Sequence, residues 1–142
     1  MKSFDSIKII LDEGAKMPIR AYETDAGLDL LSPVMTVVKA RKSVVIDTGV
    51  HIALPEGTVG FLKSKSGLNV RHNITSEGVI DVGYTGSIRV KLYNNGDIDY
   101  TVNIGDKISQ LVILPIYTPV LELVDKLDET ERGTNGFGSS GY

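Results

Sequence analysis

The chain has 142 residues, 42% of them apolar, with 15 basic and 18 acidic side chains and a formal net charge of -3. That size fits one domain whose core needs no staple, and the lack of cysteine excludes disulfides, thiolate metal sites and cysteine nucleophiles. The acidic balance argues against a broad nucleic-acid-binding face, which needs a basic excess, while leaving room for a locally basic pocket that takes a small anion.

Short β-type runs follow one another at intervals of roughly ten residues, the spacing of a sandwich or barrel. The predicted strands cover residues 7–11, 35–38, 44–46, 50–54, 59–63, 88–93, 100–104 and 108–116. Turn chemistry separates them at Asp12-Glu13-Gly14, Pro55-Glu56-Gly57, Asn94-Asn95-Gly96 and Ile104-Gly105-Asp106, because glycine takes positive φ and proline presets it. One short helix is predicted over 66–72, with Ser66 as its cap. No internal repeat or linker interrupts the pattern, so the expectation is a single antiparallel β domain. No apolar run of secretory type follows Met1 to Asp5. The longest apolar stretch, 111–117, is broken by Pro115 and far too short for a bilayer. A soluble cytoplasmic protein with no membrane partner is expected.

Five segments could carry chemistry. Asp25-Ala26-Gly27-Leu28-Asp29-Leu30 reads on composition as a turn leading into a strand, although two carboxylates four apart could also position a hydrated metal. Lys63-Ser64-Lys65-Ser66-Gly67-Leu68 alternates cations and hydroxyls before the predicted helix, as a phosphate cradle or a solvated loop would. Gly78-Val79-Ile80-Asp81-Val82-Gly83-Tyr84-Thr85-Gly86 is a hairpin in which Asp81 is either a turn residue or a group that orients and deprotonates a water, with Tyr84 offering a flat ring to a sugar or base. In Gly105-Asp106-Lys107-Ile108-Ser109-Gln110-Leu111, Gln110 places a polar amide in an apolar strand, where it needs partners if buried. The tail, Arg132-Gly133-Thr134-Asn135-Gly136-Phe137-Gly138-Ser139-Ser140-Gly141-Tyr142, is either a plain disordered end or a flap that orders over an anion. It is not a Walker A loop, since no Lys-Ser/Thr pair ends it. His51 and His72 are too far apart in sequence to suggest a metal pair and are read as structural or exposed.

Taken together and in this order, the segments resemble the five motifs of the trimeric dUTPase family, from about Ala26 to the end of the chain. Ala26 to Leu30 resembles the first motif, Lys65 to Leu68 the second, Gly78 to Gly86 the third, Gly105 to Gln110 the fourth and Arg132 to Gly141 the fifth. The Gly-x-Ile-Asp-x-x-Tyr-x-Gly and Arg-Gly-x-x-Gly-Phe-Gly-Ser patterns are the specific ones.

The resemblance implies a jelly-roll-like β protomer of the β-clip type, forming a homotrimer with shared active sites. Within a single domain of residues 1–142, a β core would span 1–125, and 126–142 would be a flexible arm closing over a site. It implies hydrolysis of dUTP to dUMP and pyrophosphate, which keeps uracil out of DNA and supplies dUMP for thymidylate synthesis. Asp81 would activate the attacking water, and Tyr84 would pack on the deoxyribose. Backbone around Gly78, Val79 and Ile80, with Arg89 nearby, would read uracil. Lys65, Ser66, Gly67 and Gln110 would hold phosphates, Arg132 and Ser139 would clamp the terminal one, and Phe137, flanked by Gly136 and Gly138, would stack on the base. Mg²⁺ would bridge phosphate oxygens, with Asp29 reaching it through water.

Three positions depart from the family pattern. Ser64-Lys65-Ser66 stands where Pro-Arg-Ser is usual, which keeps the charge and loses the bidentate fork. Val82-Gly83 replaces acidic residues after the aspartate, and Arg89 stands where a small or apolar residue is expected. The related dCTP deaminases use a glutamate ten residues beyond the aspartate, and Lys91 occupies that position here. A nucleotide-gated interaction protein with a regulatory partner is the alternative from another class, but such a protein has no need of Asp81.

Overall fold

Alternating burial along short strands builds the core. The computed structural model describes residues 6–138. Its elements run β1 (Ile9–Leu11), β2 (Gly27–Leu31), β3 (Thr36–Val38), β4 (Ser43–Asp47), β5 (Val50–Ile52), β6 (Thr58–Lys63), α1 (Ser66–His72), β7 (Ile74–Ile80), β8 (Arg89–Asn94), β9 (Tyr100–Val102) and β10 (Lys107–Pro115). Strand β8 shows the rule: Val90, Leu92 and Asn94 point inward while Arg89, Lys91 and Tyr93 face out.

Six strands form one antiparallel sheet in the order β2-β10-β6-β7-β8-β4, and β1-β5 and β3-β9 make two short ribbons. Strand β7 belongs to both halves of the large sheet. Its first residues, Ile74 to Ser76, pair with β8, and its last, Glu77 to Ile80, pair with β6. A strand that changes partner midway forces the sheet to curl, giving the half-barrel of an all-β, jelly-roll-like fold. Leu30, Ile46, Ile74, Ile88, Leu92, Ile108 and Leu111 fill it. Among the described residues no helix is long and apolar enough to cross a membrane.

The eight expected strands are present with ends that differ by one to two residues, and two further strands appear. Strand β2 was read as a turn leading into a strand because Gly27 and Asp29 depress β propensity. Strand β7 was missed because its inward row runs Ile74, Ser76, Gly78, Ile80, two of them small or polar. Gly78 is required there, since a Cβ would come within 2.9 Å of Leu62 Cδ1 on the neighbouring strand. The helix is where it was expected, but Ser66 is its first residue rather than its cap. Lys65 holds the cap position and makes no side-chain capping bond. The last strand ends at Pro115, and residues 116–138 carry no strand or helix, so the exposed segment begins before the expected arm at 126.

Leu92 is fully buried beside Val90 and Asn94, so Leu92→Ala should lower unfolding free energy by about 2–5 kcal/mol. The check is a lower urea midpoint at an unchanged m-value; an unshifted midpoint contradicts this account of the core.

Candidate active site

The hairpin between β7 and β8 builds one half of the site. Tyr84 N–H donates to the Asp81 carbonyl at 3.1 Å, and Gly83 takes φ of 96° at the third turn position, which a residue with a Cβ resists. The turn leaves the Asp81 side chain exposed at the strand end. The Tyr84 ring folds back over Gly86, where a Cβ would lie 2.5 Å from the phenol oxygen. Its hydroxyl donates to the Ser87 carbonyl at 2.7 Å. Residues 78–81 on one side and Tyr84 and Ile88 on the other enclose a cavity of about 260 Å³ whose first wall includes the side-chain-free Gly78. Arg89 borders it, but its guanidinium is directed to Asp47 on β4, with Nε 3.8 Å from Oδ2.

The loop after Tyr84 is fastened to residues 47–51. Thr48 donates through Oγ1 to the Ile88 carbonyl at 2.6 Å, and Ile88 N–H donates to Val50 at 2.8 Å. The Gly49 N–H and the Ser87 side chain hold the Asp47 carboxyl below its usual range, with help from Arg89. His51 reaches the Thr85 carbonyl and the Asp12 carboxylate together, and these two partners raise its pKa above the ordinary value.

The second half lies where β6 enters α1. Ser64 Oγ donates to the Ser76 carbonyl at 3.2 Å and accepts from Ser76 N–H at 2.9 Å. The Ser76 and Ser109 hydroxyls are 2.9 Å apart, and Ser109 donates on to the Lys63 carbonyl at 3.0 Å. Gln110 Nε2 donates to the Ser64 carbonyl at 3.0 Å, so the polar residue in the apolar strand has a structural partner. Its side chain crosses β2 over Gly27, where a Cβ would sit 2.1 Å from Gln110 Oε1. The Asp29 carboxylate is buried, with Lys65 Nζ on one oxygen and Lys107 Nζ 3.3 Å from the other. Ser66 and Gly67 are exposed at the first turn of α1.

The two halves lie apart within one chain. The β6–β7 register places Gly60 opposite Ile80 and Lys63 opposite Glu77, so Asp81 follows one end of β6 and Lys65 the other. Six strand residues separate these levels, roughly 20 Å. In the tail, Arg132 Nε donates to the Asn135 carbonyl at 2.8 Å, and Arg132, Gly136, Phe137 and Gly138 are all exposed. Ser139 lies outside the described residues. Lys91, the deaminase position, is exposed with its ammonium 5.1 Å from the Tyr93 ring centroid.

Several supporting residues escaped sequence reasoning: Asp12, Asp47, Thr48 and His51 beneath the hairpin, and Ser76, Ser109 and Lys107 beneath the cradle. Each is an isolated polar residue in a strand or turn, and its role depends on a partner distant in sequence. Asp29→Asn should cost about 2–4 kcal/mol, because two ammoniums are left beside a site with no counter-charge, discounted for their partial exposure. Chemical denaturation of the variant reads this directly, and stability equal to wild type would reject the clamp.

Comparison with known proteins gives one answer. Residues 13–141 match the family model described as dUTPase. The chain is 43% identical over 132 residues to the probable deoxyuridine 5'-triphosphate nucleotidohydrolase of Schizosaccharomyces pombe, covering 92% of this chain and 94% of that one. The dUTPase of Staphylococcus bacteriophage 80alpha with dUpNHpp superposes with a TM-score of 0.89 at 33% identity, over 98% of this chain and 100% of that one. The D95N dUTPase of the Staphylococcus aureus phage phi11, described with a coordinated structural Mg(II) ion, superposes at 0.82 with 32% identity over 88% and 100% of the two chains. With its hairpin, its cradle and matches along nearly its whole length, the chain belongs to the dUTPase family.

Proposed function

We propose that the protein hydrolyses dUTP to dUMP and pyrophosphate in the cytoplasm, in active sites shared between the subunits of a homotrimer. The observation that carries the shared site is the gap of roughly 20 Å between Asp81 and Lys65 along β6. One triphosphate cannot meet both within a single protomer, whereas a hairpin from one copy can face the cradle of another.

In this reading the Asp81 carboxylate accepts a hydrogen bond from a water and aims it at the α-phosphorus. As the new P–O bond forms, the bond to the pyrophosphate oxygen breaks in line and the water's proton passes to Asp81. The uracil edge meets the backbone of Gly78, Val79 and Ile80 in the cavity of about 260 Å³. Cytosine there leaves a buried polar group unpaired, and thymine brings a methyl for which there is no space. Tyr84, fixed over Gly86, packs on the deoxyribose and denies room to a 2'-hydroxyl. Ser66, Gly67 and Gln110 contact the phosphates and Lys65 neutralises them. Arg132 and Ser139 of the arm hold the terminal phosphate, and Phe137 stacks on the base, with Gly136 and Gly138 allowing close approach.

The donor set fits a magnesium ion that arrives on the triphosphate. Among the described residues no group of three or more His, Asp or Glu could hold a metal, and both Asp29 oxygens are engaged by lysines. Phosphate oxygens and water would therefore hold the ion, and Asp29 would reach its water shell once Lys65 swings from the carboxylate to a phosphate. When bound, the ion supplies charge neutralisation for the leaving pyrophosphate.

Pyrophosphate release with Mg²⁺ should occur from dUTP and not from dCTP, dTTP or UTP. Asp81→Asn should lose about 10²–10⁴-fold in kcat with nucleotide still bound, as removal of a general base does. Release unchanged in that variant would refute the role of Asp81. Assayed at dUTP well below KM, co-assembly of equal amounts of Asp81→Asn and Gln110→Ala chains should restore about a quarter of wild-type activity, because each shared site draws the two residues from different copies. Mixed assemblies no more active than their parents would refute sharing. Gly27→Ala, which displaces Gln110 from Ser64, should raise KM for dUTP about tenfold with a smaller change in kcat; titration of initial rates against dUTP decides it.

A further inference from the structure

The segment 85–88 links the Tyr84 turn to β8 and hangs from residues 47–51 by fastenings placed in order. Thr48 and Val50 hold Ile88, and His51 holds Thr85, the residue next to Tyr84. The Ile88 fastenings act two residues beyond the Tyr84–Gly86 contact. Among the described residues no backbone N–H donates to the Thr85 carbonyl, so His51 alone anchors the peptide between the Tyr84 ring and the Gly86 surface it rests on.

Resting on the proposed dUTP hydrolysis, we propose that His51 is a positioning residue for sugar selectivity, holding the Thr85 carbonyl so that the Tyr84 ring stays closed against the 2' position.

The geometry requires two donors on the ring. Nδ1 lies 2.8 Å from the Thr85 carbonyl and Nε2 lies 3.0 Å from Asp12 Oδ1. Both partners are acceptors, and an imidazole donates from both nitrogens only when protonated. The imidazolium thus ties the hairpin loop to the turn that follows β1. The charged groups around it are Asp12 and Lys8 from the β1 side, Asp47 at the end of β4, and Arg89 of β8, which is paired to Asp47. The two carboxylates nearest the ring favour its charged form.

A pH window follows. The Thr85 carbonyl, then Asp12, raise the folded pKa of His51 above its ordinary 6.5. A raised pKa means that the tether is complete below the unfolded value and is lost as pH climbs through the folded one. The neutral ring keeps a single N–H, which the charged Asp12 carboxylate draws to Nε2, and this leaves the Nδ1 lone pair facing the Thr85 carbonyl oxygen. Asp47, held below the usual carboxylate range, keeps its charge throughout, and the Ile88 end of the loop stays fixed by Thr48 and Val50. The loosening is confined to the residues beside Tyr84.

The test is the ratio of kcat/KM for dUTP to that for UTP, measured on the full chain with Mg²⁺ from about pH 5.5 to about pH 9. Wild type should discriminate best at the acid end and lose selectivity as His51 deprotonates. His51→Phe, which keeps ring volume and removes both donors, should show roughly tenfold lower discrimination at pH 6. That loss should come through tighter use of UTP and leave kcat for dUTP nearly unchanged. His51→Gln retains an N–H for Thr85, and should recover most of the discrimination while losing its pH dependence. Should His51→Phe fail to fold, the Gln variant and the wild-type pH profile decide. Variants as selective as wild type, or a wild-type ratio flat across the window while dUTP is hydrolysed, overturn the role of His51 and leave dUTP hydrolysis standing. A wild type that hydrolyses no dUTP overturns both.

Discussion

The pairing of β6 with β7 sets a distance that no side chain can span. Antiparallel register puts the hairpin aspartate beyond one end of β6 and the lysine-serine cradle beyond the other. Extended strands in a sheet do not shorten, so flexing the loops cannot bring Asp81 and Lys65 to one small molecule. Leu62 packs against Gly78 near the middle of this register, and a larger residue at 78 would displace the Leu62 side chain. In the proposed reaction the reach comes from another copy, so the shared-site proposal rests on this one strand pair.

Around each end of that pair, the structure stiffens the chemical group from behind. The cradle rests on a chain of hydroxyls, Ser64 to Ser76 to Ser109, which ends on the Lys63 carbonyl. Buried hydroxyls so satisfied hold their hosts in one arrangement, since each alternative leaves a donor or acceptor orphaned. Asp29 serves two lysines at once, one on the cradle and one on β10. This arrangement gives a physical context for Lys65 in place of the usual arginine. A point charge on a flexible stem can leave one carboxylate oxygen for a phosphate more readily than a planar fork that binds both oxygens.

How much of this was legible in the sequence varies with the range of the interaction. Hydrophobic alternation exposed the strands now seen as β4, β6, β8 and β10, and glycine-bearing turns marked their ends. Strands β2 and β7 were not delineated because their inward rows carry Asp29, Ser76 and Gly78, residues chosen for a neighbour rather than for strand propensity. The same neighbours explain them once seen: Lys65 for Asp29, Ser109 for Ser76, Leu62 for Gly78. Ordered motifs marked Asp81, Tyr84, Gln110 and Arg132 as candidates, whereas the residues that contact their surroundings left no local pattern. His51 differs from an ordinary outward-facing strand residue through Asp12 and through Thr85, 39 positions before it and 34 after it.

The arm divides by composition into two parts with different energetics. Val120, Leu121, Leu123 and Leu127 are 84–101% exposed on this chain, a density of aliphatic surface that a soluble monomer rarely leaves uncovered. Burying each contributes about 1.5–3 kcal/mol, against a backbone cost of about 1–2 kcal/mol for every residue fixed. Over residues 120–127 the two contributions are of similar size, so docking on a neighbouring copy in the proposed trimer needs further contacts beside these four anchors. Beyond them, among the described residues 128–138, Phe137 is the one large apolar side chain, surrounded by glycines and polar groups that add ordering cost and little apolar burial. In the proposed function that second part draws its binding energy from the nucleotide, through the base under Phe137 and the phosphate at Arg132.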